Sequence, residues 1–173
     1  MRPRLQGSLE AFLEDVAQRG SWVGGGSVAA LSVALSAALL QKLVTRPELI
    51  RRLQRVRREC VRLIPRDAKT FARVIQATRV HRRAVFARAL KTATEVPCQV
   101  HEHAEAILAA GRRAQRDIKP RFQSDLKCAM AMAFAGQTAA RALIDTNLKW
   151  LHDVAYTRNT QQRLRAFARR HVH

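Results

Sequence analysis

The sequence predicts an all-α protein, a single bundle of six or seven helices, and three observations carry that prediction. Alanine is abundant and β-branched runs are few, so local preference leans to helix over strand. No Asn-Gly or Asp-Gly pair marks a hairpin turn. Apolar residues recur at three- and four-residue spacing, as they do on the buried face of a helix. With 173 residues and 47% hydrophobic content the chain can bury a core without disulfide or metal staples. No linker or tandem repeat divides it, so residues 1–173 are read as one domain.

Ser8 is placed to cap a first helix, with Glu10 in its opening turn, Phe12 and Val16 turned inward, and Gly20 as its stop. A second, apolar helix is expected from Ser27 to Val44, ending before Pro47, which suits the first turn of a third. That third helix carries Leu49, Leu53, Val56, Cys60 and Leu63 on one stripe as far as Ile64, with arginines on the rest of its surface. Pro65 is expected to break it, and Asp67 to begin a fourth segment with Phe71, Val74 and Ile75 inward. A fifth runs from His81 to Glu95, and Pro97 opens a sixth through Val100, Ala104, Ile107 and Leu108 to Gly111. Residues 112–123 read as a loop. Ser124 then caps a long last helix with Cys128, Met132, Ala135, Ala139, Ala142 and Leu143 as its apolar stripe, ending near Tyr156. Residues 158–173 are a basic tail with five arginines and no acid, expected to continue as helix or to fray. Long helices with small-residue faces suit pairing between subunits, so a homodimer is expected.

The net charge is +19, from 32 basic and 13 acidic side chains. It marks an anionic partner without naming one, and an arginine bias of genomic origin would leave the same trace on solvated helix faces. Residues 20–41 carry no charge, but their glycines, serines and alanines make a poor membrane span and a good buried helix. No secretory signal opens the chain, and Cys60, Cys98 and Cys128 form neither a CxxC pair nor an even set. A reducing, cytoplasmic setting is expected, with the three thiols as core residues.

Three of the seven glycines stand together in Gly24-Gly25-Gly26-Ser27-Val28 at a helix start. Such a start offers free N–H groups and the positive end of the helix dipole to a carboxylate or phosphate. By itself the cluster is more often a tight interhelical turn. It is neither a Walker motif nor a dinucleotide fingerprint, because no Gly-Lys-Ser/Thr follows and no strand precedes.

The glycine block is followed in order by Asp67-Ala68-Lys69-Thr70-Phe71, Val96-Pro97 with Glu102, Ser124-Asp125-Leu126, and Asn147-Leu148 with Asp153. In these blocks and their spacing the chain resembles the cyclodeaminase/cyclohydrolase family over roughly residues 9–153. The resemblance implies an all-α homodimer acting on folates, polyglutamylated forms included, with no cofactor beyond the tetrahydrofolate substrate. It implies a one-carbon enzyme, first a methenyltetrahydrofolate cyclohydrolase and next a formiminotetrahydrofolate cyclodeaminase. Both chemistries need a group that moves protons to and from nitrogen.

For that group the resemblance implies Asp125 first and Asp67 second, with Gly24, Gly25, Gly26, Ser27, Ser124 and Asn147 binding substrate. Each aspartate also reads as an ordinary helix-start charge, and Asn147 and Asp153 as interhelical hydrogen-bonding groups. Four family features are replaced here: a proline by Val23, the first acid of an Asp-x-Asp-Ala pattern by Pro65, a Gly-Asn pair by the stretch around Pro120, and an asparagine by Leu143.

His101 and His103 stand at i and i+2, on different sides of a helix, so no metal site is expected. The rival function is a diverged, non-catalytic scaffold that binds a polyanion such as nucleic acid. Residues 46–91 hold 15 basic and 3 acidic side chains, yet no aromatic platforms interleave with them and no helix-turn-helix pattern appears.

Overall fold

The computed structural model describes residues 9–171, with side chains through 169. Among them are six α-helices, a short 3₁₀ turn at Pro120–Phe122, and no strand. The helices are α1 (Leu9–Ala17), α2 (Gly25–Leu43), α3 (Pro47–Arg79), α4 (Arg83–Ala114), α5 (Gln123–Leu151) and α6 (Val154–His171). The all-α prediction holds. Ser8, expected as the first cap, lies outside the described residues, as does the end of the basic tail beyond His171.

At the centre α2 packs against α3, α4 and α5. By length and composition it could cross a membrane, with a mean hydropathy of 1.5, but 56% of its apolar window is buried against this bundle. Small residues explain the close packing. Ser36 Oγ donates to the Ala129 carbonyl at 2.6 Å and Ser32 Oγ to the Met132 carbonyl at 2.8 Å, so its hydroxyls are satisfied across the α2–α5 seam. At the same seam Gly136 faces Val33, where a Cβ would come within 2.5 Å of Val33 Cγ2 and 3.0 Å of the Ala29 carbonyl oxygen.

Four expected boundaries are corrected by the fold. Pro65 does not break its helix and sits inside α3. Pro97 does not begin one and sits buried inside α4. An interior proline costs a helix about 3 kcal/mol, less than the burial that each long helix gains by staying continuous. Leu53, Val56, Cys60, Leu63 and Ile64 are buried before Pro65 and Ala68 and Val74 after it. The last helix ends at Leu151, where His152 adopts a left-handed φ of 52°, so the segment expected as a tail runs as α6 through His171. Phe122, rather than Ser124, occupies the N-cap of α5.

The stripe expected on the last helix is also displaced. Its buried face is Leu126, Ala129, Ala133, Gly136, Ala140, Ile144 and Leu148, whereas Cys128, Ala135, Ala139 and Ala142 are exposed. Alanine fits either face at little cost, so periodicity in an alanine-rich helix has two solutions and neighbouring helices select one. Cys128 is thus a surface thiol, while Cys60 and Cys98 are buried as expected, their thiols pushed up to about 12 chiefly by that burial.

Candidate active site

The triple glycine stands where α2 begins. Gly20, with a left-handed φ of 81°, turns the chain after α1, and Ser21 Oγ accepts the Val23 N–H at 3.1 Å. The helix then starts at Gly25 with Gly24 as an N-cap that supplies no side-chain hydrogen bond. The missing acceptor comes from another helix. Asp67, two residues past Pro65 on α3, brings its carboxylate onto Gly26, and Ser27 Oγ donates to Asp67 Oδ2 at 3.0 Å. The same hydroxyl lies 3.1 Å from the Ile64 carbonyl, and the Ser27 N–H also donates to Asp67. Any side chain at Gly26 would collide with that carboxylate, which is why glycine is needed at this one position.

The carboxylate opens onto a cleft of about 210 Å³ whose walls come from the α1–α2 turn and helices α2 to α5. Among the residues lining it, Asp67 is the one ionisable side chain. The floor is apolar, from Val74, Leu90, Ala93, Pro97 and Leu143, with Thr70, Thr146 and Asn147 as its polar side chains. Pro97 has no N–H and leaves the Ala93 carbonyl without its helical donor at the cleft wall. Trp22 and Phe71 meet edge to face with centroids 6.3 Å apart. With Trp150 they put three partly exposed aromatic rings at one opening.

Burial raises the Asp67 pKa above the usual carboxylate value, outweighing the hydrogen bonds from Ser27 that act in the opposite direction. A carboxyl so placed takes up and gives back a proton nearer neutrality than an exposed one, as a general acid–base requires.

The structure therefore brings together Gly24, Gly25, Gly26, Ser27, Asp67 and Asn147. It does not bring Asp125 or Ser124 to them. Asp125 stands in the first turn of α5, and 18 residues separate it from Leu143 of the cleft, about 27 Å along a helix rising ~1.5 Å per residue. Within a single chain Asp125 therefore does not line the Asp67 cleft. The aromatic rings and the apolar floor were missed from sequence, because they are scattered over four segments; the edge-to-face pair needs α3 and the α1–α2 turn to meet.

Asp153 and Glu102, the other acids of the resemblance, hold helices together. Asp153 Oδ1 accepts the Tyr156 N–H at 2.9 Å as the cap of α6 and pairs with Lys91 at 2.7 Å; hydrogen bonding to Lys91 is the leading cause of its lowered pKa. Arg163 on α6 grips Glu102 at 2.6 and 2.9 Å and Glu95 at 2.7 and 3.0 Å. Burial pushes Glu95 up, but the hydrogen bonds from Arg163 and Gln99 prevail and hold it below the usual value. His103 Nε2 lies 3.2 Å from Glu59, and burial keeps both His101 and His103 below the usual histidine pKa. Among the described residues no three His, Cys, Asp or Glu side chains gather to hold a metal ion.

A family profile described as formiminotransferase-cyclodeaminase matches residues 8–166, nearly the whole chain. The chain belongs to this family. The fold agrees: the crystal structure of formiminotetrahydrofolate cyclodeaminase from Thermotoga maritima superposes with a TM-score of 0.86, covering 96% of this chain and 90% of that one at 22% identity. No curated protein matches the sequence significantly. Membership in the formiminotransferase-cyclodeaminase family is what the glycine block and its companions implied. The departures noted in the sequence now have places. Leu143 lies 3.9 Å from where a Gly25 Cβ would be, so its apolar side chain forms part of the wall beside Asn147.

Proposed function

We propose that the protein is a folate one-carbon enzyme that remakes a C–N bond of tetrahydrofolate in the Asp67 cleft. The observation that supports this reading is one carboxyl of raised pKa in an apolar, aromatic-rimmed cleft of a formiminotransferase-cyclodeaminase family member. The likeness to a formiminotetrahydrofolate cyclodeaminase favours the formimino substrate. There N10 attacks the formimino carbon, and Asp67 takes the N10 proton. The carbon–nitrogen bond to the departing group then breaks, and Asp67 delivers the proton to the nitrogen that leaves as ammonia. The product is the methenyl bridge. Hydrolysis of that bridge is the neighbouring activity: Asp67 takes a proton from the attacking water and returns it to the ring nitrogen as its carbon–nitrogen bond breaks, while the hydroxyl proton leaves to solvent and the formyl group forms.

In this reading the chain needs no cofactor beyond tetrahydrofolate, works in the cytoplasm, where the free thiols of Cys60, Cys98 and Cys128 stay reduced, and acts as a homodimer. Val28, Leu35 and Phe134 are exposed on α2 and α5, Phe134 by 62%, and suit a second copy. Such pairing is also the one route by which Asp125 would approach a cleft, that of its partner. Methenyl absorbance separates the activities in one assay: it rises with formiminotetrahydrofolate and falls with methenyltetrahydrofolate, each against the spontaneous rate. Absence of both changes in folded protein overturns the reading.

A second reading rests on Arg51, Arg55, Arg58 and Arg62, all exposed at three- and four-residue spacing on α3. These suit a scaffold that binds a polyanion such as nucleic acid. Salt-labile duplex binding that ignores Asp67→Asn, without turnover, would support it.

A further inference from the structure

Pro65 and Pro97 lie inside helices, and each removes the donor from the carbonyl four residues before it, Val61 on α3 and Ala93 on α4. Their surroundings differ. Val61 is 47% exposed, where water is at hand for its carbonyl. Ala93 is half-buried, and with Leu90 and Pro97 it forms the stripe that α4 turns to the Asp67 cleft. A helical carbonyl points along the axis toward the residue four places on, so the Ala93 oxygen lies between two residues that line the cleft. The proline ring also crowds that carbonyl out of the helical ladder. Hydroxyls cover other carbonyls of this stretch: Thr92 Oγ1 donates to Arg88 at 3.0 Å, Thr94 Oγ1 to Leu90 at 2.7 Å, and the Tyr156 hydroxyl to Lys91 at 3.3 Å. Among the described residues no side chain does this for Ala93.

We propose that the Ala93 carbonyl is a specificity-determining acceptor that takes a hydrogen bond from the amino group on the substrate ring, and that Pro97 is the positioning residue that keeps it free. The inference rests on the folate reading above and deepens it. Asp67 serves the nitrogens whose bonds change, and the exocyclic amino group stands at the opposite end of the ring. The floor between them is apolar. An amino group enclosed there needs an acceptor, because a buried N–H left unpaired costs more than its bond gains. A backbone carbonyl selects by position alone, since it carries no net charge, has no rotamer and does not titrate. A ring with an oxo group in place of the amino group would set two acceptors against each other and be rejected.

The test is tryptophan fluorescence titration with pteroate and its 2-desamino counterpart, which lacks the amino group and keeps the rest. Wild-type protein is expected to bind pteroate about tenfold tighter, as one well-placed hydrogen bond allows. Pro97→Ala and Pro97→Val each give residue 97 an N–H that closes on the Ala93 carbonyl. Both variants should lose the preference, with melting temperature kept or raised because α4 regains its bond. Valine keeps the bulk of proline and alanine does not, so equal loss in the two assigns the effect to the N–H. Leu143→Ala is the packing control: it enlarges the same cleft from α5 and should weaken both ligands alike, leaving their ratio unchanged. In turnover the Pro97 variants should raise KM severalfold with kcat largely kept. Pro97 variants that still prefer pteroate, loss of the preference in Pro97→Ala or Leu143→Ala but not in Pro97→Val, or a wild type that binds both probes equally overturns the acceptor and leaves folate binding in place. Wild-type protein that binds neither probe overturns the folate reading and the acceptor with it.

Discussion

Of the helix starts in this protein that hold an aspartate, those of α2 and α5 have different fates. At the start of α2 the acid is borrowed: Asp67 arrives from α3, accepts hydrogen bonds from Ser27 and lies against Gly26. At the start of α5 the acid is local: Asp125 stands in the helix's own first turn, next to exposed Ser124. Both gain from the dipole at a helix N-terminus. Only the first is enclosed, with helices from four directions and an aromatic rim, and its proton affinity rises for that reason. A carboxyl acquires acid–base chemistry when neighbouring elements strip its water, and its place in a motif does not ensure that.

The largest expected effect is on turnover. Asp67→Asn keeps an acceptor for Ser27 but cannot carry the proton, so kcat/KM should fall about 10²- to 10⁴-fold, read as loss of the methenyl absorbance change with far-UV circular dichroism unaltered. Gly26→Ala should also remove activity by displacing the carboxylate, and denaturant unfolding should show a loss of about 1–3 kcal/mol. Gly136→Ala separates these two consequences: its Cβ would meet Val33 and the Ala29 backbone at the α2–α5 seam, away from the carboxylate. A similar stability loss of about 1–3 kcal/mol is expected there, with kcat largely kept by the folded fraction.

A smaller effect is pH-dependent. The Asp67 pKa is raised on folding, so the carboxyl favours the folded state below the unfolded carboxylate pKa of about 3.9. That advantage is lost as pH rises through the higher folded value. Asp67→Asn should therefore gain thermal stability relative to wild type as pH rises across that window, seen by melting both proteins at several pH values. An unchanged difference would mean that Asp67 is not desolvated.

The smallest effect belongs to the other helix start. Asp125→Asn should cost up to about 1 kcal/mol through the α5 dipole. Denaturant unfolding reads that cost, which should shrink as salt is raised.

The helical class, the α2 start to within two residues and the buried face of α3 as far as Ile64 were legible because each rests on local chemistry, whereas Phe71, expected inward, is 43% exposed. The glycine run marks a break between helices, and Leu53, Val56, Cys60 and Leu63 share one side of α3 in any packing. The family resemblance was legible too, in the glycine block and the acids that follow it. The continuity of α3 and α4 through Pro65 and Pro97 was not, because a proline's penalty is local while the burial that offsets it comes from helices distant in sequence. Nor was the buried face of α5, where alanine suits both sides.

Of the two aspartates, sequence identified both as candidates and ranked them by motif. Tertiary structure encloses Asp67 and, within one chain, keeps Asp125 out of its cleft. Residue types and spacing establish which groups can ionise and which segments form helices. Desolvation depends on what surrounds a carboxyl, and the surroundings of Asp67 are assembled from Trp22, Pro97, Leu143 and Trp150, which only the packed bundle brings within reach.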